Sequence, residues 1–208
     1  MVQSMHIPIK QYTLSSFFIR TMLPKVDPFF SLFFACVIRK TNVYPFSALT
    51  CTSRMTDEVL LLLGCPQIPV QSPLVLYVAD LLKDLGKIPV VAANPSAKQL
   101  VAASDPKKHY VAEYRDVDRT IADLADGNVR YPLIISFIHN DAGLTYTTTA
   151  AALAPESLLV TVLFGEHAYD IAGEIAFPAE KIVAPVTHNT RPLLAKVDEV
   201  MEWAVLKI

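Results

Sequence analysis

Three histidines stand at or just behind the ends of hydrophobic runs: His139 follows LIISFI, His167 follows LLVTVLFGE and His188 follows IVAPVT. Imidazole changes protonation nearest neutral pH, so such residues suit general acid–base transfer or metal ligation. Other polar residues occupy equivalent places. VLLLL runs into Gly64-Cys65-Pro66-Gln67, IPVVAA into Asn94, and the histidines bring Asn140, Asp141, Glu166 and Asn189 with them. The catalytic candidates are His139 as acid–base, Asp141 as the group orienting it, and Cys65 as nucleophile. Gln67, Asn94, Asn140, Glu166, His167, His188 and Asn189 are the ligand-binding candidates.

Each candidate has a competing structural role. A lone cysteine is commonly a small buried hydrophobe, and Cys65 is activated only if a helix terminus or a histidine lowers its thiol pKa. Its balance leans structural. In HNDAG, Asp141 serves equally as the N-cap of a helix, with Gly143 permitting the turn. That role leaves His139 and Asn140 unexplained. Thr145, Thr147, Thr148 and Thr149 either line a polar pocket or bond back to carbonyls one turn earlier. His139, Asp141, Glu166, His167 and His188 are the pool for a metal, but no HExxH or His-Xaa-His pair anchors one, so no metal site is assigned.

The elements that must position these residues alternate in type. Val59 to Leu63 is continuously apolar, as in a strand buried on both faces. Ser72 and Pro73 offer an N-cap and first helical position, and apolar residues from Leu74 to Leu85 recur at helical spacing until Gly86. Ile88 to Ala92 is a second strand, followed by a helix from about Pro95 to Ala103. Tyr110 to Tyr114 reads as a short third strand at the sheet edge, and it decides between a sheet of five strands and one of six. Val117 to Ala125 is a helix, Leu133 to Ile138 a central strand, and Leu144 to Ala154 a helix weakened by its threonines. Leu158 to Leu163 and Ile182 to Val186 are strands, and Pro192 to Leu206 closes the chain as a helix. The expected fold class is therefore α/β: a three-layer αβα, doubly wound, mostly parallel sheet of five or six strands, flavodoxin-like or Rossmann-like. Both orders place ligands at the carboxyl ends of the strands, where the polar candidates lie.

Composition narrows the function. Of 208 residues, 52% are hydrophobic and 18% charged, which fits a globular protein rather than a disordered one. A net charge of −2 without a basic face argues against a nucleic-acid partner. No run reaches the roughly 18 apolar residues of a membrane helix, so no membrane partner is expected and the location is cytoplasmic. Cys36, Cys51 and Cys65 form no CxxC pair, against a disulfide framework or zinc ribbon. No GxGxxG, GxxxxGK[ST] or GxSxG occurs, and six glycines leave little for a phosphate loop.

The first 54 residues have a different composition. They hold seven of the ten Phe, six Lys or Arg and one acid, Asp27, a net +5 that leaves −7 for the rest. They show no pattern able to bury a face. They are expected to be an extension arising from a misassigned start, with Met55 opening a single α/β domain over 55–208. A disordered or targeting segment is the alternative.

LLLGCPQIPVQSP, DPKKHYVAEY and FIHNDAG, taken together, resemble an uncharacterised family of small proteins from methanogenic archaea known as a domain of unknown function. The resemblance spans about three quarters of the chain from Met55 and implies a three-layer αβα domain. It implies no activity, cofactor or catalytic role. The expected function is the binding of a small polar metabolite or cofactor, of unknown identity, at the strand ends, with acid–base chemistry by His139 if there is turnover. A homo-oligomer is expected. The alternative is a non-catalytic subunit whose strand-end loops dock onto a larger assembly.

Overall fold

A computed structural model of the chain describes residues 57–208, in which six strands and six helices alternate. The expectation for residues 1–54 lies outside the described residues. In chain order the elements are β1 (Glu58–Leu63), α1 (Gln71–Asp84), β2 (Ile88–Ala93), α2 (Pro95–Ser104), β3 (Glu113–Asp116) and α3 (Val117–Ala125). Then come β4 (Leu133–Ile138), α4 (Asp141–Leu153), β5 (Leu158–Leu163), α5 (Ala168–Glu174), β6 (Glu180–Val183) and α6 (Arg191–Leu206). All pairings are parallel and the order is β3-β2-β1-β4-β5-β6. Of the two expected topologies this is the Rossmann-like one.

Strand periodicity builds the layers, because alternate residues face opposite sides of the sheet. Val59, Leu61 and Leu63 of β1, with Leu133, Ile135 and Phe137 of β4, pack under the buried faces of α1, α2 and α6. Leu60, Leu62 and Ile134 face the opposite way, toward α3 and α4. Ile138 and Leu163 meet Ala168 and Ile171 of α5. The central strands are apolar on both faces because helices cover both.

Several boundaries differ from the sequence expectation, among them the start of α4, at Asp141 rather than Leu144, and of β6, at Glu180 rather than Ile182; three differences trace to particular hydrogen bonds. Helix α1 starts at Gln71 rather than Pro73; Val70 is its N-cap and makes no side-chain capping bond, so Ser72 is a buried helical residue and not the cap. The earlier start follows from a turn, Gln71 N–H to Ile68 C=O at 3.1 Å, and from Val70 N–H bonding Thr187 C=O at 3.1 Å. Pro73 is tolerated because first-turn amides have no intrahelical partner.

The second difference concerns the third strand, which runs Glu113–Asp116 rather than Tyr110 to Tyr114. Asp105 causes the shift. Its carboxylate accepts the backbone N–H groups of His109 (2.7 Å), Tyr110 (2.9 Å) and Val111 (3.0 Å), so those amides are taken before pairing with β2 begins. The third is β6, which ends at Val183, since Val186 N–H turns back to Ala184 C=O at 2.8 Å.

Asp105 gives a prediction about stability. It is 3% exposed, and burial pushes its carboxyl pKa up, but the N–H groups of Val111, Tyr110 and His109 outweigh burial and hold it below 3.8. A depressed folded pKa contributes stability above the unfolded value that disappears as pH falls through the folded one. Asp105→Ala is therefore expected to cost about 3 kcal/mol near neutral pH, leaving three amides unpartnered. Urea unfolding of the two proteins checks this: their midpoints should draw together as pH falls below 3.8.

Candidate functional site

The chain reverses winding direction between β1 and β4, the switch point where open α/β sheets hold their ligands. Here two glycines bring the backbones together. A Cβ on Gly64 would sit 3.0 Å from both Cα and N of Gly143 in the first turn of α4. Only glycine permits this approach. Asn140 reinforces it: its side-chain oxygen accepts the Gly143 N–H at 3.1 Å, and its amide nitrogen donates to Gln67 Oε1 at 3.3 Å. The N-cap of α4 is thus Asn140, and Asp141 is the first helical residue, where a carboxylate is favourable against the helix dipole. Cys65 is a half-buried free thiol in this closed turn.

The open space lies one strand further along. A cleft of about 500 Å³ at the carboxyl ends of β4 and β5 is lined by His139, Asn140, Asp141 and Ala142 from one side. His167, Asp170, Ile171 and Glu174 line the other. His139 is 8% exposed, and its ring stacks on Phe164 at 5.4 Å between centroids and 26° between planes. Gly165, at φ 90°, passes close enough that a Cβ there would lie 3.6 Å from His139 Cβ and 3.9 Å from Ile68 Cδ1. Both ring nitrogens are shut off from solvent and neither has a hydrogen-bond partner. Burial pushes the imidazole pKa below 6.5, so the ring is neutral at pH 7. Asp141 is not bonded to it; Phe164 and Gly165 set the ring's orientation. Gln71, 1% exposed in the first turn of α1, likewise has both amide atoms buried without a partner.

The structure therefore gathers His139, Asn140, Asp141 and His167 in one cleft, with Gln67 joined to it through Asn140. The remaining candidates lie outside its lining. Asn94 caps α2, accepting Ala97 N–H at 2.8 Å. His188 Nδ1 sits 2.8 Å from Thr187 Oγ1, and Asn189 accepts Arg191 N–H at 3.1 Å in the turn before α6. Glu166 is exposed beside the cleft without lining it. The four threonine hydroxyls of α4 all bond back to the carbonyl four residues earlier, at 2.8 to 2.9 Å. Among the described residues no three His, Cys, Asp or Glu side chains are placed to hold a metal ion, and no helix is long and apolar enough to cross a membrane.

Sequence reasoning missed Asp170, Ile171, Glu174 and Gln71. The first three ride on α5, a seven-residue helix whose signal is the Ile171–Ile175 spacing between buried positions. Gln71 is masked in the sequence because Ser72 and Pro73 mimic a helix start two residues later.

A Rossmann-like αβα protein with its cleft beside the switch point is the class that fold and site define. Within it, the chain belongs to the family described as a domain of unknown function (DUF1890), whose model matches residues 60–200. It is similar to Uncharacterized protein MJ0452 of Methanocaldococcus jannaschii, at 31% identity over 149 residues, covering 69% of this chain and 97% of that protein. It is also similar to a solved structure, "Structure of MT0777", at 35% identity and a TM-score of 0.65, covering 70% of this chain and 97% of the other.

Proposed function

We propose that this cytoplasmic protein binds a small polar metabolite or cofactor in the cleft at the carboxyl ends of β4 and β5, with His139 as its central contact. One observation carries the reading: a nine-tenths buried imidazole in the cleft wall has both nitrogens unpartnered. Buried polar groups are nearly always satisfied, and an orphaned one at a ligand edge calls for an absent partner. Engaging the ring takes a rotamer adjustment of the kind side chains commonly make on binding. A neutral imidazole can accept on one nitrogen and donate on the other, which suits both recognition and acid–base transfer.

Thermal unfolding of the full chain in fractions of a deproteinised methanogen extract tests this. A ligand present at about 100 times its Kd stabilises by about 2.7 kcal/mol, a shift of several degrees. At least one fraction should raise the melting temperature of the wild type and leave His139→Phe unmoved. Fractions that shift neither protein, or shift both equally, count against the site.

A further inference from the structure

We infer that the ligand of this cleft is a small organic cation, an amine carrying at least one ammonium group; the inference rests on the binding reading above and names its chemical class. Three carboxylates, Asp141, Asp170 and Glu174, line the cleft, and no Lys or Arg does. Asp170 and Glu174 stand four residues apart on α5, on one helix face. His167 Nδ1 lies 3.4 Å from Asp170 Oδ2, and His139 is a neutral ring. Lys181, the nearest basic residue in the chain after α5, donates instead to the carbonyls of Ala172 (3.0 Å) and Ile175 (3.1 Å).

Two helix N-termini face the cleft, and each already has a carboxylate in its first turn: at α4 Asn140 takes the Gly143 N–H and Asp141 occupies the first helical position, and at α5 Asp170 lies in the turn that follows His167. An anion entering here would meet three carboxylates with no cation to offset them. A bare metal ion is disfavoured because the acidic groups do not converge on one point. An amine on a short carbon chain fits both features. Its ammonium pairs with the carboxylates, and a turn of the buried His139 ring toward the cleft brings its unpartnered nitrogens to the ligand's other polar groups.

Three four-carbon probes that differ only in end-group charge test the class: putrescine, 4-aminobutyrate and succinate. Each is titrated into the ¹⁵N-labelled full chain while the backbone amides of residues 139–142 and 167–174 are followed. Putrescine should shift those amides with an affinity at least about tenfold above succinate, and the preference should shrink with added salt and in Asp170→Asn/Glu174→Gln. Equal or tighter binding of succinate at these amides would overturn the cation class while leaving the cleft as a ligand site. No shift at these amides from any probe would overturn the inference and count against the binding reading as well.

Discussion

Gly64→Val is expected to lower the unfolding free energy by about 3 kcal/mol, among the larger effects open to a single substitution outside the main core. A Cβ at Gly64 meets the Cα and N of Gly143 at 3.0 Å, and these are backbone atoms that no rotamer change can move aside. The first turn of α4 would have to retreat from β1, taking with it the Asn140 cap and its bond to Gln67. Gly173→Ala is the matched control. Nothing lies within 4 Å of a Cβ there, and alanine is favoured over glycine in a helix by roughly 1 kcal/mol. Denaturant titration should thus move the two midpoints in opposite directions. A Gly64→Val protein as stable as wild type would mean that the closed switch point is not held by this contact.

The second large effect is expected at His139, with opposite signs for stability and binding. Phenylalanine keeps a ring against Phe164 and removes two buried nitrogens that have no partner. An unpaired buried polar group costs about 1–3 kcal/mol, so His139→Phe should gain about 1 kcal/mol in the absence of ligand. It should also abolish binding in the cleft. Stability rising as function falls is the mark of a residue kept for its chemistry rather than its packing.

The pH dependence follows from burial, which depresses the folded pKa of His139 below its unfolded value of 6.5. Between those two values the unfolded chain binds the additional proton, so the contribution is full above pH 6.5 and declines as pH falls toward the folded pKa. Stability measured from pH 7.5 downward should show this slope in wild type and lose it in His139→Phe. An identical slope in both would place the titration elsewhere.

The layers of the fold were legible because their signal is collective. LIISFI gave β4 at both ends, since a strand buried on two faces leaves a nearly continuous apolar run, here broken by the buried Ser136 alone and bounded by Pro132 and His139. Boundaries set by single hydrogen bonds were not legible. Ser72 reads as a cap in sequence, but the Ile68–Gln71 turn starts the helix before it. Tyr110 and Val111 look like strand residues until Asp105 is seen to claim their amides.

The site divided in the same way. Its edge of the sheet could be read from the polar residues behind each strand, and four of them share the cleft. Asn94 and Asn189 could not be separated from ligand contacts, because the side chains that cap helices and close turns are the same ones that bind ligands. Asp141 and Asn140 exchanged roles for a related reason: either can cap, and the Gly64–Gly143 approach decides which one reaches the Gly143 amide. The far wall of the cleft was missed because α5 is too short to establish a period.

Native mass spectrometry of the full chain, purified without added metals or cofactors and compared with His139→Phe, tests the binding claim most directly and reports the oligomeric state as well. The account predicts a discrete excess mass on the wild-type protein, of metabolite size, that is lost on denaturation and absent from the variant. A bare chain in both proteins, or the same excess mass in both, would contradict it.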